Sequence, residues 1–235
     1  MQPLNFILVP QGQEYQAVIR GLQPIQSSKI EVLPIPIGGK YLSVYLKEWL
    51  ESEAVKSQSF LQVLVLGLCG SLSPKLQVGD IVVYQNCLPL ISQNSIQNSP
   101  DKNSVIPCDF NLTLALHHRL IPSYLVWGLT TERVIITADE KQKLGQLYPV
   151  QVVDMEGIIL LEILTQAGIK VAIVRVVSDD YDQNLPDLTP AISCDGKLQT
   201  IPLLKIMLKH PFKALKLIRS ALKSLQILQQ ITGKL

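Results

Sequence analysis

VQVVDMEGIILLEILTQAGIKVAIVRVVSDD, residues 150–180, reads as strand, helix, strand. Val150 to Val153 is a short β-branched run. Glu156 to Ala167 is apolar apart from Glu162, Thr165 and Gln166, and Gly168 supplies a helix stop. Lys170 to Val177 follows as a buried strand. A unit of this kind is expected to join parallel strands through a right-handed crossover, which would put the carboxyl ends of both strands on one sheet edge. Ligands bind at such edges in open α/β sheets. Asp154, Met155 and Glu156 from the first strand and Ser178, Asp179 and Asp180 from the second would then face one crevice.

The rest of the chain is consistent with one α/β domain built on a central mixed, twisted sheet flanked by helices. With 235 residues, 47% of them hydrophobic and 17% charged, it can bury a large core. Residues 1–199 are assigned to this domain and residues 200–235 to a basic helical tail packed on it. The net charge of +2 hides an asymmetry. From Gly196 onward there are eight Lys or Arg and no Asp or Glu, so the preceding body is acidic with a net charge of −6. Four cysteines without CxxC spacing, no leader pattern and no apolar run of the ~18–20 residues that span a bilayer point to a reduced, cytoplasmic protein. The three histidines suggest no metal site, and nothing suggests nucleic acid as a partner.

Asn5 to Pro10 is an apolar strand opening at Gly12 into a helical pattern that begins with Glu14. That carboxylate reads either as a residue favouring the positive end of a helix or as part of the crevice. Gln62 to Tyr84, QVLVLGLCGSLSPKLQVGDIVVY, is a buried strand running into Gly67, Gly70 and Ser71, followed by a second strand. Thr137 with Glu140 forms a capping-box pattern. Asp180 and Asp182 read as caps or solvated residues, and Arg175, inside an apolar strand, as an ion-pair partner. From Pro211 a helix has Leu215, Ile218, Ala221, Leu222, Leu225 and Leu228 on one side and Lys213, Lys216, Arg219 and Lys223 on the other. It is either a terminal helix packed through its apolar side or a peripheral membrane contact through residues 211–230.

Three of these motifs together resemble one family. LGLCGSLSPKLQVGDIVV (residues 66–83), VDMEG (153–157) and VRVVSDD (174–180) are similar in type and order to signatures of the purine and uridine nucleoside phosphorylases and the methylthioadenosine/S-adenosylhomocysteine nucleosidases. ERVIITADEKQKL, NLPDL and the tail KHPFKALKLIRSALKSL further resemble a hopanoid-associated phosphorylase branch, which implies release of adenine from adenosylhopane.

The resemblance implies site roles. Breaking a purine N-glycosidic bond leaves an electron pair on the base while positive charge develops on the ribose, so a proton must reach the departing base. Asp179, oriented by Ser178, matches the residue that protonates the purine, a task for which burial would raise its pKa. Glu156 matches the acceptor of the ribose hydroxyls, and Met155 the residue packed on the sugar. Glu14 matches the residue that positions an attacking water. Gly67 and Gly70 belong to the ligand-facing turn, and Val134 and Ile135 to the base-contacting segment. Val65 and Leu68 stand where the phosphorylases carry an arginine and a serine that hold phosphate. Water is therefore expected as nucleophile, with no cofactor and phosphate as the alternative co-substrate. A soluble methylthioadenosine-type substrate and a non-catalytic nucleoside-binding role are the competing readings. The family further implies a homo-oligomer, a dimer or higher.

Overall fold

The computed structural model describes residues 4–23, 30–57, 60–90, 104–186 and 211–235. Eight strands are present among them: β1 (Phe6–Pro10), β2 (Glu31–Ile35), β3 (Gln62–Ser71), β4 (Ile81–Pro89), β5 (Ile106–Pro107), β6 (Tyr124–Thr130), β7 (Val152–Asp154) and β8 (Lys170–Asp179). The helices are α1 (Gln13–Leu22), α2 (Gly39–Leu50), α3 (Glu53–Lys56), α4 (Phe110–Arg119), α5 (Ala138–Leu147), α6 (Gly157–Gln166) and α7 (Pro211–Thr232).

Strands β1, β3 and β8 are almost continuously apolar because helices cover both faces of the sheet they form. On one face Phe6, Leu8, Val63 and Val65 pack against Leu42 and Leu46 of α2 and Leu160, Leu161 and Leu164 of α6. On the other, Ile7, Val9, Leu64 and Leu66 meet Ala17 and Val18 of α1 and Leu228 and Ile231 of α7. The sheet is mixed. Strand β3 pairs in parallel with β1 and β8, and β8 pairs antiparallel with β4. Strands β4, β6 and β7 run parallel, and β7 returns antiparallel to the end of β3. The pairings β3–β8–β4–β6–β7–β3 thus close a ring of five strands, from which β1 and β2 extend on one side and β5 on the other.

This topology overturns the parallel pairing expected for residues 150–180. Strand β7 is antiparallel to β3 whereas β8 is parallel to it, so β7 and β8 run in opposite directions. A strand of three residues carries no signal of direction, and the crossover rule applies only to strands that are parallel in the same sheet. The two acidic clusters still meet, by another route. Strand β7 pairs with only the last two residues of β3, Gly70 and Ser71, and Gly70 is also the partner of Asp179. The helix stop is as expected, with Gly168 at φ 75°.

The tail helix α7 packs on the domain through a face rotated from the one its apolar spacing suggests, with Leu225 and Leu228 common to both. Leu215, Ile218 and Leu222 are 46%, 37% and 61% exposed, while Ser220, Ser224, Leu228, Ile231 and Thr232 are buried. Small side chains let the helix approach closely. Ser224 Oγ donates to the Val177 carbonyl at 2.7 Å, and a Cβ on Gly21 of α1 would lie 2.3 Å from the Gln229 carbonyl. The expected boundary at residues 199 and 200 lies outside the described residues. None of the described helices is long and apolar enough to cross a membrane.

Candidate active site

The pocket is built along the carboxyl-terminal half of β3, and one of its ends is made by a register shift. Cys69 pairs with Val177 and Gly70 with Asp179, leaving Ser178 as an extra residue. Consecutive residues of a regular strand point to opposite faces, and a bulge re-aims them. Ser178 and Asp179 consequently both line the pocket. Ser178 Oγ donates to Asp179 Oδ1 at 2.7 Å, with the Cys69 carbonyl, 3.1 Å away, as its other acceptor. Gly70 must lack a side chain here, because its Cβ would lie 2.9 Å from Asp179 Oδ2 and 3.2 Å from Val153 Cγ1. Lys141 of α5 pairs with the same Oδ2 from behind.

Three residues earlier on β3, about 10 Å along the strand, a second group of charges converges. Arg175 of β8 is fully buried and donates from Nη2 to Asp154 Oδ2 at 3.2 Å and to Glu156 Oε2 at 3.3 Å. Its Nε and Nη1 have no hydrogen-bond partner among the described residues. Glu156 Oε1 accepts the Gly38 N–H at 3.2 Å. Glu14, at the first turn of α1, accepts the Leu68 N–H on Oε2 at 2.8 Å. Gly67 is where these groups meet: a Cβ there would lie 2.0 Å from Arg175 Nη1 and 2.6 Å from Glu14 Oε2.

Three carboxylates around one guanidinium make an uneven balance. Burial pushes the Glu156 carboxyl up to about 7; Arg175 opposes this, while Asp154 and Glu14 add to it. Burial also raises Glu14, against the pull of Arg175 and the Leu68 N–H. Burial works against the Arg175 charge, but Asp154 and Glu156 more than offset it and hold the guanidinium as a cation. Asp154 is further fixed by the Thr130 hydroxyl at 2.8 Å and the Gly157 N–H at 3.1 Å.

A family model described as "Phosphorylase superfamily" matches residues 50–191, more than half of the chain. The chain belongs to the phosphorylase superfamily. Solved structures with the same fold cover this superfamily member almost end to end. Native futalosine hydrolase of Helicobacter pylori has a TM-score of 0.69 at 15% identity, over 99% of this chain and 98% of that one. The 5′-methylthioadenosine/S-adenosylhomocysteine nucleosidase of Helicobacter pylori, solved with butyl-thio-DADMe-Immucillin-A, has a TM-score of 0.68 at 15% identity over 100% of both chains. The corresponding nucleosidase of S. pneumoniae, with the transition-state inhibitor MT-ImmA, gives 0.67 at 13% over 97% of both. Comparison of the sequence with curated proteins returns no match.

In this member of the superfamily the structure brings Glu14, Gly70, Val134, Ile135, Met155, Glu156, Ser178 and Asp179 to one cavity of about 170 Å³. Gly67 was expected to face ligand. It lies outside the lining, and Arg175 and Glu14 occupy the space a side chain would take. Val65 is buried in the core, whereas Leu68 reaches the pocket and offers its amide to Glu14. Sequence reasoning missed Thr131 and Ile37 on the walls and Lys141 behind Asp179. Arg175 did announce itself, as a cation in an apolar strand, and it is the ion-pair partner that pattern suggested. The capping box at α5 forms by half. Glu140 N–H donates to Thr137 Oγ1 at 3.2 Å, but the Glu140 side chain pairs with Arg133.

Proposed function

We propose that the protein is an enzyme that cleaves the N-glycosidic bond of a purine nucleoside, with adenine as the leaving base and water as the nucleophile. The observation that carries this reading is the separation of two unlike groups on one strand. Asp179 stands over Gly70, Glu14 and Arg175 stand over Gly67, and Glu156 is paired with Arg175. A ribosyl group bridging that span would have an acidic side chain at its base and carboxylates at its sugar. Glu156 would accept hydrogen bonds from the ribose hydroxyls, which strengthen as the sugar becomes cationic. Glu14 lines the pocket and would be the acceptor for an attacking water.

Support for water over phosphate comes from the same place. The Leu68 amide, the donor an incoming anion would use, is already held by the Glu14 carboxylate, and neither Val65 nor Leu68 brings a side chain that binds an anion. Adenine release by the wild type from methylthioadenosine or another adenosine analogue, absent with Asp179→Asn, is the expected result. No release by either protein across several such substrates would favour a non-catalytic nucleoside-binding role. A rate independent of phosphate concentration is expected for hydrolysis.

The preferred substrate on this reading carries a bulky apolar 5′ group, as in adenosylhopane, with a methylthioadenosine-type nucleoside as the alternative. The motifs ERVIITADEKQKL and NLPDL support the former. So does the exposed Leu215, Ile218 and Leu222 stripe flanked by Lys216, Arg219 and Lys223, which suits peripheral contact with the cytoplasmic face of an anionic membrane. Self-association is the companion proposal, supported by the exposed side chains of Phe110, Ile121 and Tyr124.

A further inference from the structure

Lys141 lies in the polar run ADEKQK of α5, a pattern that reads as a solvated helix face, yet it is 0% exposed. Its Nζ faces three oxygens: Asp179 Oδ2, the Asp180 carbonyl at 2.9 Å and the Gln183 carbonyl at 3.2 Å. Three acceptors satisfy the three N–H groups of an ammonium, whereas a neutral amine would turn its lone pair on one of the oxygens. The other oxygen of Asp179 takes the Ser178 hydroxyl. Each carboxylate oxygen therefore meets a donor, an arrangement that suits a carboxylate, which has no proton of its own to give, rather than a carboxylic acid, whose O–H would need an acceptor. A departing purine needs a proton.

The other titratable groups around Asp179 are poor sources. The Cys69 thiol on β3 is pushed well up by burial and holds its proton tightly. Asp180 accepts the Val78 N–H at 2.8 Å. Arg175, with Asp154 and Glu156, lies at the Gly67 end of the pocket and keeps its protons.

We propose that Lys141 is the proton source for the leaving base and acts through Asp179, an inference that rests on the nucleosidase reading of this pocket. As the C1′–N9 bond breaks, its electron pair goes to the purine. The proton on Nζ passes to Asp179, and Asp179 gives a proton to the purine nitrogen it faces. Water forms the new bond to C1′ and loses its proton to Glu14. After the products leave, Glu14 returns a proton to solvent, and Lys141 regains one through Asp179 from the opened pocket. Lys141 touches no substrate and is a positioning residue that holds the proton in reserve. The short reach from α5 to Oδ2 is fixed by two further bonds between these segments: Asn184 Oδ1 accepts the Ala138 N–H at 2.8 Å, and the Ile136 carbonyl accepts the Leu185 N–H at 2.8 Å.

The test compares Lys141→Met and Lys141→Arg with wild type on two substrates, methylthioadenosine and 4-nitrophenyl β-ribofuranoside, whose nitrophenolate departs without protonation. Both variants are expected to lose adenine release by about a hundredfold or more at pH 8, the usual scale of general acid catalysis, while cleavage of the nitrophenyl riboside stays within about threefold of wild type. In Lys141→Met, adenine release should recover about tenfold for each pH unit lowered, as Asp179 takes its proton from solvent instead. Lys141→Arg keeps the buried cation and tests the idea if Lys141→Met does not fold, because a guanidinium fills the charge but does not give up a proton. Equal losses on the two substrates, restoration of adenine release by arginine, or an unchanged pH profile in Lys141→Met would each overturn the proposal. A wild type that releases no adenine from any nucleoside overturns the nucleosidase reading itself. If wild type cleaves only the nucleoside, the pH profile of adenine release decides.

Discussion

Glu156 is where the pH behaviour of the pocket concentrates. Burial pushes its carboxyl up to about 7, with Asp154 and Glu14 adding to the effect. Only the ionised form accepts both hydrogen bonds of a ribose diol, so kcat/KM should rise with pH and level off above about 7, a profile that Glu156→Gln abolishes together with most of the activity. The stability effect has the opposite slope. Between the unfolded value of about 4.5 and the folded value of about 7 the native state binds more protons than the unfolded chain. Glu156 therefore makes the protein more stable as pH falls through that window, and the melting temperature of wild type should gain on that of Glu156→Gln between pH 8 and pH 5. Gly67 gives a second residue-level expectation. Gly67→Ala sets a methyl 2.0 Å from Arg175 Nη1 and cannot be accommodated without displacing a buried ion pair. A loss of about 3 kcal/mol, read by chemical denaturation, is expected.

Among the elements, α7 shows what periodicity can and cannot say. Its amphipathic spacing was legible, but both sides of the helix carry apolar residues, and spacing alone does not tell which side meets the domain. Ser220 and Ser224, polar by composition, are the buried ones because close approach to β8 demands small side chains and the Val177 carbonyl offers Ser224 an acceptor. Ser224→Ala removes one of the two hydrogen bonds to that carbonyl, which keeps the Gly79 N–H at 2.9 Å. It should lower stability by about 1 kcal/mol and, because Val177 directly precedes Ser178, reduce kcat more than it alters KM. The same contrast holds for the site. Asp179 and Glu156 were legible because motifs of fixed composition carry them. Lys141 was not, since its neighbours Asp139, Glu140, Gln142 and Lys143 give the sequence of a solvated helix, and only the fold of residues 180–185 across α5 buries it. The direction of β7 was hidden for a simpler reason: three residues are too few to encode one.

At the scale of the molecule, an acidic body carries a tail helix with an exposed apolar stripe beside basic residues. The protein is expected to co-sediment with vesicles containing phosphatidylglycerol at low salt and to be released as ionic strength shortens the Debye length from ~30 Å at 0.01 M to ~8 Å at 0.15 M. Leu215→Glu combined with Leu222→Glu should abolish sedimentation and leave turnover of methylthioadenosine unchanged. Vesicle binding that persists in this double variant would place the contact elsewhere on the surface.

The closed ring of strands also has a consequence for synthesis. Strand β3, which carries the floor of the pocket, takes β8 as its longest partner, and the first register pair joins Gln62 to Lys170. At about 5–20 residues per second the ribosome needs on the order of 5–20 s to deliver the second after the first. For that interval VLVLGLC presents an unpaired, uncharged edge, held on one side at most by β1. The nascent chain is therefore most open to aggregation before residue 170 emerges, and folding should be limited by this late, long-range pairing.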